Sequence, residues 1–164
     1  DRSREAIVEL RYVAVRDDGL GHAVRGLIAR MRERMEIDAA VEVDDAASAL
    51  TGPKAEIAYR IVEEALRNVE LHADARHVAV RIGLDREDSV THLLTATVED
   101  DGVGFDPAAP TPAHFGLVGM REQAATLGCA TAALVAGGLG SDHGAFDLAA
   151  ALEFTHTELL EATS

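Results

Sequence analysis

The spacing of apolar residues changes once along this chain, and the change limits the folds open to it. Leu20, Ala23, Val24, Leu27, Ile28, Met31 and Met35 recur at three and four residues, as do Ala58, Val62, Ala65, Leu66 and Val69. Stripes of that period bury one face of a helix. From His77 to Leu84 and from Leu93 to Glu99 the pattern becomes alternation rich in Val, Ile, Leu and Thr. That is the period of a strand with one wet face. Helices first and mainly strands afterwards predict an α+β fold, a two-layer sandwich of one mixed β-sheet packed against helices.

The remaining elements follow from punctuation. Arg4 to Val15 reads as a short helix stopped by Asp17-Asp18-Gly19, and the next helix carries Arg25, Arg30, Arg32 and Arg34 on a solvated face. Ala40 to Val43 is a strand candidate, followed by a loop to Gly52-Pro53. Proline suits a first helical turn, so a helix is expected from Pro53 to about Ala73. Asp85 to Ser89 is a charged loop between the two alternating strands. Phe105 to Phe115 holds three of the four prolines and reads as an irregular loop. Gly116 to Leu127 is an expected helix, and Ala130 to Ala136 and Ala145 to Phe154 are expected closing strands.

Composition narrows the partners. At 164 residues and 48% apolar, the chain suits one domain with a substantial core. Its net charge of −14 argues against nucleic acid or an anionic membrane surface. After Arg86 the only cationic side chain of Lys or Arg type is Arg121, so a phosphate bound by the second half would rely on backbone amides and metal. Cys129 stands alone in an apolar run and reads as a small buried hydrophobe. No apolar run reaches the roughly 18 residues of a membrane span, and a cytoplasmic location is expected.

Three segments carry chemistry. On the helix from Pro53, Arg60, Glu64, Asn68 and His72 are spaced by four and form one ridge beside the apolar stripe. Carboxylate and amide oxygens in line suit Mg²⁺, with Asn68 as ligand and Glu64 orienting a water or accepting a proton. An ordinary surface ridge with Arg60 paired to Glu64 fits the same spacing. Asp100 ends an apolar strand and is followed by Gly102 and Gly104. A buried carboxylate there could accept from the adenine amino group, where guanine presents a carbonyl. The glycines would let the backbone pass close beneath a flat base. A plain Asp-Gly hairpin turn is the alternative. A dinucleotide-binding turn is not, because these glycines open a Pro-rich loop and not a helix. At Gly116-Leu117 a helix starts after that loop, where free amides and the helix dipole can hold phosphate.

Arg60-Ile61-Val62-Glu63-Glu64-Ala65-Leu66-Arg67-Asn68, Asp100-Asp101-Gly102-Val103-Gly104 and Gly116-Leu117-Val118-Gly119-Met120-Arg121-Glu122, in that order, resemble the catalytic ATP-binding domain of sensor histidine kinases. The similarity is greatest to the nitrate-sensor and thermosensor type, within the ATPase superfamily of gyrase, Hsp90 and the mismatch-repair proteins, and runs from about Leu20 to Phe154. It implies that Glu64 is the N-box acid, that Asn68, with His72 near it, faces Mg²⁺ and phosphate, and that Asp100 is the adenine partner. It also makes Gly102 and Gly104 the first glycine box, Phe105 to Phe115 the ATP lid, and Gly116, Leu117, Gly119 and Met120 the second box and docking helix. Gly144 and Ala145 would close the site.

The resemblance implies ATP and Mg²⁺ as cofactors and transfer of the γ-phosphoryl group to a histidine. It divides the chain into the tail of a dimerisation domain (1–16), the ATP-binding domain (17–156) and a C-terminal tail (157–164). None of the seven histidines has the phosphoacceptor setting, so the acceptor is expected on a dimerisation domain outside this chain, in a homodimer acting on a response regulator. Leu71, His114 and Ala145 depart from the family pattern at positions near phosphate and adenine. They keep open a degenerate domain that regulates a partner by docking, while an anti-sigma serine kinase is a further alternative.

Overall fold

The computed structural model describes residues 2–102, 122 and 147–163. Helix α1 (Arg2–Arg34) is two rods joined at Gly19, whose φ of 85° and ψ of 167° are not helical. The break falls at the expected Asp17-Asp18-Gly19 stop, and space as well as chirality explains it. A Cβ on Gly19 would stand 2.5 Å from the Ser48 carbonyl oxygen, and one on Gly21 1.9 Å from Ser48 Oγ. That approach lets the Leu20 amide donate to the Leu50 carbonyl at 2.9 Å. Val15, Leu20, Ala47 and Leu50 are fully buried around it. Ala47 and Ser48 belong to α2 (Asp45–Ser48), one helical turn inside the expected loop. Four residues are too few to show a period in sequence.

Strand β1 (Asp38–Val43) pairs parallel with β2 (His77–Arg86), so the crossover between them holds α2 and α3 (Pro53–Asn68). Antiparallel pairing then adds β3 (Thr91–Asp100) and β4 (Asp147–Thr155), giving one mixed sheet in the order β1-β2-β3-β4. The charged loop between β2 and β3 is shorter than expected because Asp85 and Arg86 pair with Leu93 and His92. Asp88 closes what remains, its Oδ1 accepting the amides of Val90 and Thr91 at 2.7 and 2.8 Å. The lid Phe105–Phe115, the helix Gly116–Leu127 apart from helical Glu122, Cys129 and the strand Ala130–Ala136 lie outside the described residues.

The expected two-layer α+β sandwich is the observed architecture. Val80 opposite Val98 and Ile82 opposite Ala96 put one sheet face toward the helices. Ile57, Tyr59, Ile61, Val62 and Leu66 of α3 and Val24, Ile28 and Met31 of α1 are buried against it. Each large side chain so buried contributes roughly 1.5–3 kcal/mol of transfer free energy. The opposite face is wet: exposed Arg81 reaches Glu42 at 3.5 Å and Glu99 at 3.8 Å. Such exposed pairs add little stability.

The arginines of α1 remain exposed yet tie elements together. Arg34 grips Glu70 with two bonds of 3.0 Å, Arg30 reaches the Tyr59 hydroxyl at 3.4 Å, and Arg32 donates to the Ala39 carbonyl. A last helix, α4 (His156–Ala162), occupies most of the expected C-terminal tail. The Thr51 amide donates to the Ala162 carbonyl at 2.7 Å, and Lys54 pairs with Glu158 at 3.0 Å. These bonds hold α4 beside the start of α3. No described helix is long and apolar enough to cross a membrane.

Candidate functional site

Glycine at the cap and proline at the first position start α3 where the sequence expects it. The helix does not run uniformly to Ala73. After Asn68 it becomes a π-turn (Val69–Ala73), closed by Asp74 in the left-handed region at φ 49° and ψ 41°. Aspartate tolerates that conformation better than most residues. The expected ridge of four therefore keeps α-helical spacing from Arg60 through Glu64 to Asn68, and the backbone of His72 lies in the wider π-turn. Such turns are frequent at functional sites. Here the Arg34 guanidinium pins the turn through Glu70, whose carboxylate in return raises the pKa of Arg34.

Two polar side chains are buried among the described residues, Asn68 and Asp100, each 7% exposed. Register explains Asp100. It pairs with Val78 at the end of β3, in phase with Leu94, Ala96 and Val98, so its carboxylate falls on the core side of the sheet. Asn68 ends α3 on the buried side, and its Nδ2 has no hydrogen-bond partner among the described residues. A buried donor left so costs about 1–3 kcal/mol. Only eight residues separate Asn68 from the start of β2, and the Asp101 amide donates to the His77 carbonyl at 3.2 Å. Asp100 thus lies at the end of the sheet where β2 begins, and the chain reaches that point from Asn68 through the π-turn.

The turn after β3 closes on itself, with Asp100 Oδ1 accepting the Gly102 amide at 2.7 Å. A carboxylate has about four acceptor positions, so the group can accept more than one bond at once. Asp101 points the other way. Its Oδ1 accepts the amides of Arg76 and His77 at 2.8 and 2.9 Å, and its Oδ2 meets His77 Nδ1 at 2.7 Å. The His77 side chain, then the backbone amides, hold the Asp101 carboxyl down at about 2. His77 is raised by the same bond. Neither residue stood out in the sequence; the doubled acid Asp100-Asp101 was the only local sign.

Glu64 is half-buried and lines a cavity of about 800 Å³ between α1 and α3, together with Arg30, Tyr59, Arg67 and Leu71. Neither Asn68 nor Asp100 lines that cavity. Gly102 follows in its place in the turn. Gly104, Gly116, Leu117, Gly119, Met120, Gly144 and Ala145 lie outside the described residues, as does His114.

No protein-family model matches the chain. It is 35% identical over 122 residues to the signal transduction histidine-protein kinase/phosphatase DegS of Brevibacillus brevis, covering 73% of this chain and 30% of that protein. The chain belongs to the sensor histidine kinase family. It spans between 24% and 33% of the length of the first curated relatives it matches. In structure the chain shares the fold of the catalytic domain of the histidine kinase ThkA, at a TM-score of 0.52 and 13% identity, over 79% of this chain and 88% of that one. Full-length ShkA in complex with AMPPNP shares it at a TM-score of 0.53 and 18% identity, over 82% of this chain and 29% of that one.

Proposed function

We propose that the chain is the ATP-binding catalytic domain of a two-component sensor histidine kinase, taking Mg²⁺·ATP and passing the γ-phosphoryl group to a histidine on a dimerisation domain. The observation that supports it most is that the two buried polar side chains among the described residues are Asn68 and Asp100, the two that the motifs single out. A core accepts a carboxylate and an amide at such cost only where a ligand or network repays it. The AMPPNP complex of ShkA supports an adenine nucleotide as that ligand.

Asp100 would accept from the adenine amino group and reject guanine, whose carbonyl would face the carboxylate. The Asn68 amide fits a hard cation: its orientation is open to either assignment, and with oxygen inward it offers the single protein oxygen that Mg²⁺ commonly takes. Bound there, Mg²⁺ would supply the positive charge that phosphates need in an acidic chain. Glu64 would orient the incoming imidazole or take its proton, while Gly102, with Gly104 and Gly116 beyond it, would bring backbone close to base and phosphate. Transfer of this kind depends on positioning and charge neutralisation more than on covalent work by the protein.

The break at Gly19 supports a boundary near residues 16–17, with the preceding helix continuing from the dimerisation domain. A full-length homodimeric kinase, with this domain in the cytoplasm and a response regulator downstream, belongs to the same proposal. The test is calorimetric titration with ATP and GTP, with and without Mg²⁺. Selective, Mg²⁺-dependent binding of ATP is expected; equal binding of GTP, or none of either, would overturn the reading.

A further inference from the structure

The carboxylate beside Asp100 is exposed where Asp100 is buried, yet it is held by several bonds. Asp101 takes two backbone amides and one imidazole from residues 76 and 77, and its own amide donates to His77. Those partners open β2, immediately after the π-turn and Asp74 that leave Asn68. We propose that Asp101 and His77 are positioning residues for the base-reading turn, coupling the Asp100–Gly102 backbone to the end of α3 that carries Asn68. The inference rests on the nucleotide reading above. Neither residue needs to touch the ligand.

Physical reasons favour a positioning role over simple strand pairing. The Val78–Asp100 pair is the last rung of the β2–β3 ladder, so the chain beyond Asp100 has no sheet register to hold it. Asp101 supplies that hold: its Oδ1 accepts the two successive amides of Arg76 and His77 where the facing strand begins, while its Oδ2 meets the His77 ring. The imidazole completes it. The charged groups facing His77 are Asp101 at 2.7 Å, Asp38 of β1 at 3.9 Å, and the adjacent Arg76, which opposes protonation. The carboxylates prevail, so the ring holds its proton to higher pH than usual. Below that raised value the contact is a charge-assisted bond; above it the bond is between neutral imidazole and carboxylate, and weaker.

Because a looser turn lowers the fraction of molecules ready to bind, affinity should fall as pH rises through the His77 transition. The experiment titrates the chain with Mg²⁺·AMPPNP from about pH 5.5 to about pH 9, comparing the parent with His77→Gln, Asp101→Asn and Asp100→Asn. Gln cannot charge, and at this exposed position it leaves folding intact; titration of the nucleotide itself cancels in the ratio of parent to variant. At low pH His77→Gln and Asp101→Asn should bind roughly two- to fivefold more weakly than the parent, the range of an exposed ion pair. The His77→Gln deficit should vanish at high pH. A ratio of one at every pH, or a deficit that does not change with pH, overturns the positioning role. If the parent binds no nucleotide at any pH, the nucleotide reading itself has failed. If Asp100→Asn alone weakens binding, that reading stands and this inference falls.

Discussion

Asp100 and Asp101 are neighbours in sequence with opposite surroundings, one buried in the core side of the sheet and one exposed on its rim. Their substitutions should separate accordingly. Asp100→Asn keeps the shape but offers a donor to a donor, so ATP binding should weaken by about 1.5–3 kcal/mol, as measured by calorimetry. Asp101 should instead show itself in acid unfolding. Its folded carboxyl titrates at about 2 against 3.8 for the ordinary group, so its contribution is complete above that ordinary value and is lost as pH falls toward the folded one. Asp101→Ala should therefore flatten the loss of stability in that window, read from urea midpoints at stepped pH. Asn68 presents a third case. Replacing a side chain whose buried Nδ2 lacks a partner among the described residues with Leu should leave thermal stability unchanged or raise it, while Mg²⁺-dependent nucleotide binding disappears.

At the level of elements, the junction of α1 with α2 is as constrained as the site. Gly19 has a left-handed φ of 85°, and a side chain there would meet the backbone oxygen of Ser48, which cannot swing aside as a flexible side chain could. Gly19→Ala should cost about 1–3 kcal/mol by denaturant unfolding. The cost should fall on the seating of the first rod, since the amide of Leu20 bonds to Leu50 directly beside the strained residue. The π-turn is the second constrained element. It lets a helix that is apolar on its buried face end with Asn68 inward and Leu71 60% exposed. Both junctions connect the rigid sandwich to the parts expected to act on it.

Across the whole molecule, charge sets the strength of binding. With a net charge of −14 and an uncharged, exposed Leu71 just beyond Asn68, nucleotide affinity should lie in the tens to hundreds of micromolar, roughly −5 to −6 kcal/mol. Leu71→Lys should tighten it by about 1 kcal/mol, less at high salt, because the new charge is partly screened. Incubation of this chain alone with labelled ATP should leave it unphosphorylated, and a dimerisation domain added in trans should be labelled slowly, without the effective concentration of a tether.

Much of this was legible in the residues themselves. The two helix stripes, the two alternating strands, and the roles suggested for Asn68 and Asp100 depend on spacing within one element, and period alone determines which face is inward. The sequence by itself therefore determined the α+β class and which polar groups a core would have to absorb. It could not supply the π-turn, the single turn of α2, the docking of α4 through Lys54 and Glu158, or the grip of Asp101 on His77. The last two of these join residues 104 and 24 positions apart. They exist only once strand register and helix packing have brought the partners within a bond length of one another, and only the tertiary structure decides that, because the energy that sets register is spread over the whole β2–β3 ladder and not carried by the residues it brings together.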